Sequence, residues 1–201
     1  MKKTLTLVNI WKIENHTPHF GLTALAAYVK TKIPNLEIKI VEGLNPLKDI
    51  LKSKPDIVGF TSDTLAFKAT KTIATKVKNK LKVPILIGGV HITAMPKSFS
   101  KPFDVGLIGE GEITLTELIQ SFLENSKLDY EKLEKIDGLI FKKNKNIVKT
   151  EPRKLIKNID ELPFPAREIT PMNEIYLKNQ FNLFYAIRMV SIMTTSGCRY
   201  H

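Results

Sequence analysis

The sequence predicts a doubly wound α/β fold, a five-stranded parallel sheet with helices on both faces, followed by a β-hairpin and an extended C-terminal connector. Three observations carry this. Over the first 125 residues, short runs rich in Val, Ile and Leu alternate with longer stretches of helical period. Two of the short runs, DIVGF and PILIGG, are apolar almost without interruption, as strands buried on both faces are. Glycines or small polar residues follow the third, fourth and fifth runs, where an open α/β sheet places its ligand loops.

The expected strands are Leu5–Asn9, Leu36–Val41, Asp56–Thr61, Pro84–Gly88 and Phe103–Ile108. Between them, Phe20–Lys32 places Leu22, Leu25, Ala26 and Val29 on one helical face. Asn45–Lys52 is a shorter helix. Leu65–Leu81 aligns Leu65, Ala69, Ile73 and Val77 with Lys opposite, and Glu112–Leu123 turns Leu115, Leu118, Ile119 and Phe122 inward. A flavodoxin-like (Rossmann-like) strand order, 2-1-3-4-5, is the natural five-stranded arrangement.

After residue 125 the rhythm changes. Ile136–Phe141 and Ile147–Thr150 flank the polar turn KKNKN and read as a hairpin. A connector with Pro152, Pro163, Pro165 and Pro171 resists regular structure and suits an extended strap. Asn173–Asn179 could form a short helix, and Met189–Thr195 is a further apolar run. The expected organisation is a ligand-binding domain over 1–125, hairpin and connector over 126–170, and the start of another domain over 171–201. Apolar residues of the strap and of Met189–Thr195 are expected to lie exposed.

Composition narrows the function. A 201-residue chain that is 43% hydrophobic is not a disordered tail. One cysteine, Cys198, allows no internal disulfide and cannot complete a zinc or iron–sulfur site alone, so a reducing cytoplasm is expected. No apolar run is long enough to span a bilayer, and the charged start MKKTLTLVNIW reads as a buried first strand rather than a signal peptide. The net charge of +11 comes mostly from 27 scattered Lys, without an Arg-rich run or interleaved aromatics. A solvated face is expected, and no specific nucleic-acid partner.

The residues that could hold a ligand fall at the predicted carboxyl edge. Gly88-Gly89 lets the backbone turn sharply and a ligand come close, and Gly109-Glu110-Gly111-Glu112 repeats the device one strand on. Thr61-Ser62-Asp63-Thr64 offers hydroxyls and a carboxylate, or caps the following helix. His16, His19 and His91 lie in loops at this end without metal-ligand spacing, which points each towards packing or capping. There is no G-x-G-x-x-G and no P-loop after the first strand, so a dinucleotide or nucleoside-triphosphate site is not expected.

Taken in order, several segments resemble the amino-terminal half of cobalamin-dependent radical S-adenosylmethionine (radical SAM) enzymes. They are Pro18-His19-Phe20-Gly21-Leu22 leading into LAAYVK, PDIVGFTSDT, PILIGGVHITAMP and FDVGLIGEGEITLTEL. The hairpin start Ile136-Asp137-Gly138-Leu139, the strap IDELPFPAR and the closing TTSGCRYH complete the series. The last is similar to the opening of the C-x-x-x-C-x-x-C motif that holds a [4Fe-4S] cluster.

The resemblance implies that the carboxyl edge binds cobalamin. Gly88 and Gly89 would leave room for its nucleotide tail and Ser62 and Thr64 would hydrogen-bond it, with Thr61, Asp63, Val90 and His91 also among the cofactor-binding candidates. Pro18, His19, Phe20, Gly21 and Leu22 would face the cobalt side, and Gly109, Glu110, Gly111 and Glu112 the opposite rim. The related D-x-H-x-x-G motif, whose His ligates cobalt, is not matched, because His16 is followed by His19 and His19 by Leu22. Only Cys198 of the cluster motif is present. The chain is therefore expected to be a cobalamin-binding module cut from a longer methyltransferase or cyclase. The cluster, S-adenosylmethionine and the catalytic barrel would belong to the full-length parent in cis. The rival readings are a flavodoxin-like flavin-binding or partner-docking module, and a basic nucleic-acid binder.

Overall fold

The computed structural model describes residues 2–10 and 19–170. Its strands are β1 (Thr4–Ile10), β2 (Glu37–Gly43), β3 (Ile57–Thr61), β4 (Ile85–Gly88), β5 (Val105–Leu107), β6 (Leu139–Lys143) and β7 (Asn146–Lys149). Its α-helices are α1 (Phe20–Lys32), α2 (Leu47–Lys52), α3 (Phe67–Leu81), α4 (Val90–Ala94), α5 (Glu112–Asn125) and α6 (Tyr130–Leu133). The strands form one sheet in the order β2-β1-β3-β4-β5-β6-β7. The first five are parallel and follow the expected 2-1-3-4-5 order.

Alternation along each strand feeds two cores. Leu5, Leu7, Ile38, Ile40, Leu86, Val105, Leu107 and Phe141 face α1 and α5, which contribute Leu22, Ala26, Val29, Leu115, Leu118, Ile119 and Phe122. Val8, Ile10, Val58, Phe60, Ile85 and Ile87 face the other side, where Ile50, Ile73, Ala74, Val77 and Ile92 pack. The inward faces read from α1 and α5 are thus as expected.

Three details differ from the sequence expectation. The hairpin is not an appendage, because β6 pairs antiparallel with β5 and prolongs the sheet to seven strands. Gly106 makes room for this: it lies opposite Ile140, and a Cβ there would come within 2.6 Å of that side chain. The hairpin turn is tight, with Asn144 and Lys145 at φ 49° and 71°, the left-handed pair that suits the sheet's twist. Second, α3 begins at Phe67, and Leu65 is 72% exposed rather than inward. The Asp63 carboxylate accepts from the Ala66 N–H at 2.7 Å and holds the intervening residues in a turn. Third, α4 and α6 are short helices that the periodicity did not reveal. The expected helix Asn173–Asn179 and the run Met189–Thr195 lie outside the described residues.

The connector is a strap, as expected. Arg153 donates to Thr114 Oγ1 at 3.1 Å and to the Asp137 carbonyl at 3.3 Å, and pairs with Glu117 on α5. Farther along, the Ala166 N–H bonds the Thr23 carbonyl of α1 at 3.0 Å, and Glu168–Thr170 border the outer strand β2. Leu155, Ile159 and Phe164 are exposed along it, as anticipated. Among the described residues, no helix is long and apolar enough to cross a membrane.

Candidate functional site

The carboxyl ends of β1, β3, β4 and β5 converge on one edge. Residues 11–18, which include His16 and Pro18, lie outside the described residues, as does Cys198. His19 opens α1 as its N-cap: its Nδ1 accepts the Leu22 N–H at 3.2 Å. Its own backbone N–H donates to Glu42 Oε1 at 3.1 Å, and Asn9 Nδ2 reaches the same oxygen at 3.2 Å. Glu42 is buried at the end of β2, so this carboxylate ties the start of α1 to the first two strands. Burial lowers the His19 pKa below its ordinary value, against the opposing influence of the Glu42 and Asp63 carboxylates. Phe20 is half-buried and Gly21 exposed at this edge, while Leu22 points into the core and is not available to a ligand.

After β3, Thr61 is half-buried and Ser62 is buried. The Ser62 hydroxyl donates to the Asp63 carbonyl at 2.8 Å and accepts from Thr70 Oγ1 at 3.3 Å. Asp63 and Thr64 are exposed, and Asp63 serves the turn described above. Thr64 Oγ1 lies 3.1 Å from His91 Nδ1, and Phe67 stacks on the His91 ring with centroids 3.9 Å apart. His91 is buried, and among the described residues its Nε2 has no hydrogen-bond partner. Val90, beside it, is exposed.

Gly88 and Gly89 form a side-chain-free step between the loops that follow β3 and β5. Gly89 has φ 95° and ψ −179°, a conformation that only glycine adopts readily. A Cβ there would sit 2.6 Å from Thr61 Oγ1 and 2.8 Å from the Ser62 carbonyl oxygen. Gly109, at φ 84°, has open space where its Cβ would be, and its N–H donates to Thr93 Oγ1 at 3.1 Å. Gly111 abuts Leu25 of α1. Glu110 accepts the Ile156 N–H at 2.8 Å, which joins this rim to the strap. Burial, aided by the Glu110 charge, raises the pKa of Glu112 in the first turn of α5.

This edge suits a large amphipathic cofactor. It has a bare backbone shelf at Gly88–Gly89 and Gly109, hydroxyls at Thr61, Thr64 and Thr93, and exposed apolar residues at Leu65, Val90 and Met95. Among the described residues no group of three His, Cys, Asp or Glu could hold a metal ion.

These features define a doubly wound ligand-binding domain with its ligand edge at the carboxyl ends of the parallel strands. Residues 6–119 match the family model of the B12 binding domain, and the chain belongs to that family. It is thus a cobalamin-binding domain, in keeping with the shelf, and the flavin-binding or partner-docking alternative is not favoured. An uncharacterized methyltransferase of Pyrococcus horikoshii is 31% identical over 195 residues, covering 92% of this chain and 39% of the relative. This chain therefore spans well under half the length of that relative. Among solved structures, it superposes on the radical S-adenosylmethionine methyltransferase TsrM from Kitasatospora setae, a structure with cobalamin and [4Fe-4S] cluster bound. The TM-score is 0.63, at 22% identity, over 82% of this chain and 31% of that one, a likeness of fold.

The structure brings His19, Thr61, Ser62, Asp63, Thr64, Gly88, Gly89, Val90, His91 and Gly109–Glu112 to one edge, and withdraws Leu22 from it. Sequence reasoning missed Glu42, Thr93 and Phe67. Glu42 carries no motif, and its role shows only in its bonds to Asn9 and His19. Thr93 and Phe67 had no local signal either, since their roles depend on where α3 and α4 start.

Proposed function

We propose that this chain is the cobalamin-holding portion of a radical S-adenosylmethionine methyltransferase, with the catalytic barrel and its cluster supplied by further sequence in cis. The observation that carries the reading is the Gly88–Gly89 step, where the backbone is kept bare between Thr61, Ser62 and the Gly109 loop. The motif order that resembles the family, the longer relative bearing a methyltransferase name and the fold shared with TsrM support it. Under this reading residues 1–125 hold the cofactor, 126–170 form the hairpin and connector, and 171–201 open the barrel, with Cys198 the first of three cluster ligands. When bound, cobalamin supplies a methyl group carrier. What the chain contributes is position: the edge orients the cofactor, and Thr61, Thr64, Thr93 and the backbone N–H groups of the glycine loops anchor its polar periphery. A cytoplasmic setting fits a single cysteine and an oxygen-sensitive cluster.

The test is anaerobic reconstitution of this chain with hydroxocobalamin, with and without iron, sulfide and S-adenosylmethionine. The expected result is retained corrin, no four-iron absorbance and no cleavage of S-adenosylmethionine. Cleavage by these 201 residues alone, or retention of flavin in place of corrin, would overturn the reading.

A further inference from the structure

We propose, resting on the cobalamin reading, that Glu110 is a positioning residue that ties the rim of the ligand edge to the strap, so that strap docking and cobalamin binding strengthen one another. The rim needs such a tie. Gly109 stands at φ 84° with open space where its Cβ would be, and Gly111 follows two residues on, so the backbone between β5 and α5 has little stiffness of its own. Three successive residues fix it by bonding to three different parts of the molecule. The Ile108 N–H donates to the Gly138 carbonyl at 2.7 Å, and the Gly109 N–H to Thr93 Oγ1 of α4 at 3.1 Å. Glu110 Oε2 accepts the Ile156 N–H of the strap at 2.8 Å. Two of the three partners, Gly138 and Ile156, thus lie in the hairpin and connector rather than in the segment that carries the ligand loops.

The strap depends on the same bond. From Lys154 to Asp160 every residue but Ile156 is exposed. Between Arg153 and Ala166, the Ile156–Glu110 bond is, among the described residues, the one hydrogen bond that joins the strap to the rest of the fold. Nor is there slack behind the rim. A Cβ on Gly138 would lie 3.0 Å from the Ile108 carbonyl oxygen, 3.1 Å from Thr114 Oγ1 and 3.2 Å from Arg153 Cβ, so the rim, α5, the hairpin and the start of the strap are in direct contact there. A bond from a backbone N–H to a carboxylate is also stronger than one between neutral groups. A cofactor seated on the rim favours the rim geometry in which Glu110 meets Ile156. Linkage makes the effect reciprocal: the factor by which the strap's bond raises cobalamin affinity is the factor by which cobalamin favours the docked strap.

The test uses the full chain and hydroxocobalamin. Glu110→Ala should still unfold cooperatively and bind cobalamin about fivefold more weakly. Glu110→Gln keeps an acceptor oxygen within reach and loses the charge; it should recover most of the affinity, which assigns the effect to the bond. Ile156→Pro deletes the donor from the strap side and leaves the rim's own residues intact. It should weaken binding to the same extent, and the double variant Glu110→Ala/Ile156→Pro should lose no more than either alone. Reciprocally, cobalamin should slow proteolysis between Glu151 and Thr170 about fivefold in the parent and not in Glu110→Ala. Parent-like affinity in Glu110→Ala would overturn the proposal, because the bond would then serve the strap alone; so would additive losses in the double variant, or Glu110→Gln binding as weakly as Glu110→Ala. A folded parent that retains no corrin would remove the cobalamin reading and the proposal with it, a result distinct from corrin retained without any effect on the strap.

Discussion

Replacing Gly89 by Ala tests the shelf through a cost that the backbone itself sets. At φ 95° and ψ −179° an L-residue is strained by about 1–3 kcal/mol. The added Cβ would also lie 2.6 Å from Thr61 Oγ1, 2.8 Å from the Ser62 oxygen and 2.9 Å from the Ser62 nitrogen. Two of these three neighbours are backbone, which cannot rotate away, so overpacking adds about 1–3 kcal/mol. The sum is about 4 kcal/mol, and for a chain of this size that lowers the melting temperature by about 8–16 °C. Gly88→Ala is the matched control. Its Cβ would lie 3.9 Å from Leu107 Cβ, an ordinary contact, and should move the melting temperature by no more than about 2 °C. Differential scanning calorimetry of both variants without cofactor reads the contrast. Gly89→Ala melting within a degree or two of the parent would refute the reasoning. Corrin retention then separates fold from site, because Gly88→Ala should stay folded yet bind cobalamin more weakly through the methyl group added to the shelf.

Three further outcomes are expected. Phe141→Ala empties a fully buried site between β5 and β7 and should cost about 3–5 kcal/mol in urea unfolding. Arg153→Met removes the strap's anchor to Thr114, Asp137 and Glu117; the partly exposed ion pair contributes little, so the loss should be about 2 kcal/mol, with faster proteolysis between Glu151 and Thr170. Glu112, whose pKa is raised in the folded chain, adds stability below the ordinary carboxylate range and loses it as pH rises through the elevated value. Glu112→Gln should therefore remove that decline, and its urea midpoint should exceed the parent's more at neutral pH than at acid pH.

Most of the fold was legible because the strands alternate with helices of unmistakable period. Leu22, Ala26 and Val29, or Leu115, Leu118 and Phe122, can face only one way once the helix is granted. What periodicity could not show was pairing at a distance. That β6 would dock on β5 depended on Gly106 leaving room for Ile140, a cross-strand fit with no local signature. Leu65 misled because its spacing matched the helix, while the Asp63 turn, a competing side-chain bond, delayed the helix start. At the site, the glycines were legible because bare backbone at a strand end has a physical purpose. Glu42 was not singled out, since its importance lies in what it holds, Asn9 and His19, rather than in any motif.

The central claim is that the carboxyl edge holds cobalamin. The most direct test is an absorbance spectrum of the protein after incubation with hydroxocobalamin and exhaustive desalting, with calorimetry to establish that it is folded. Corrin bands at about one equivalent, diminished in Gly88→Ala, are the predicted result. A folded protein that emerges colourless would contradict the account.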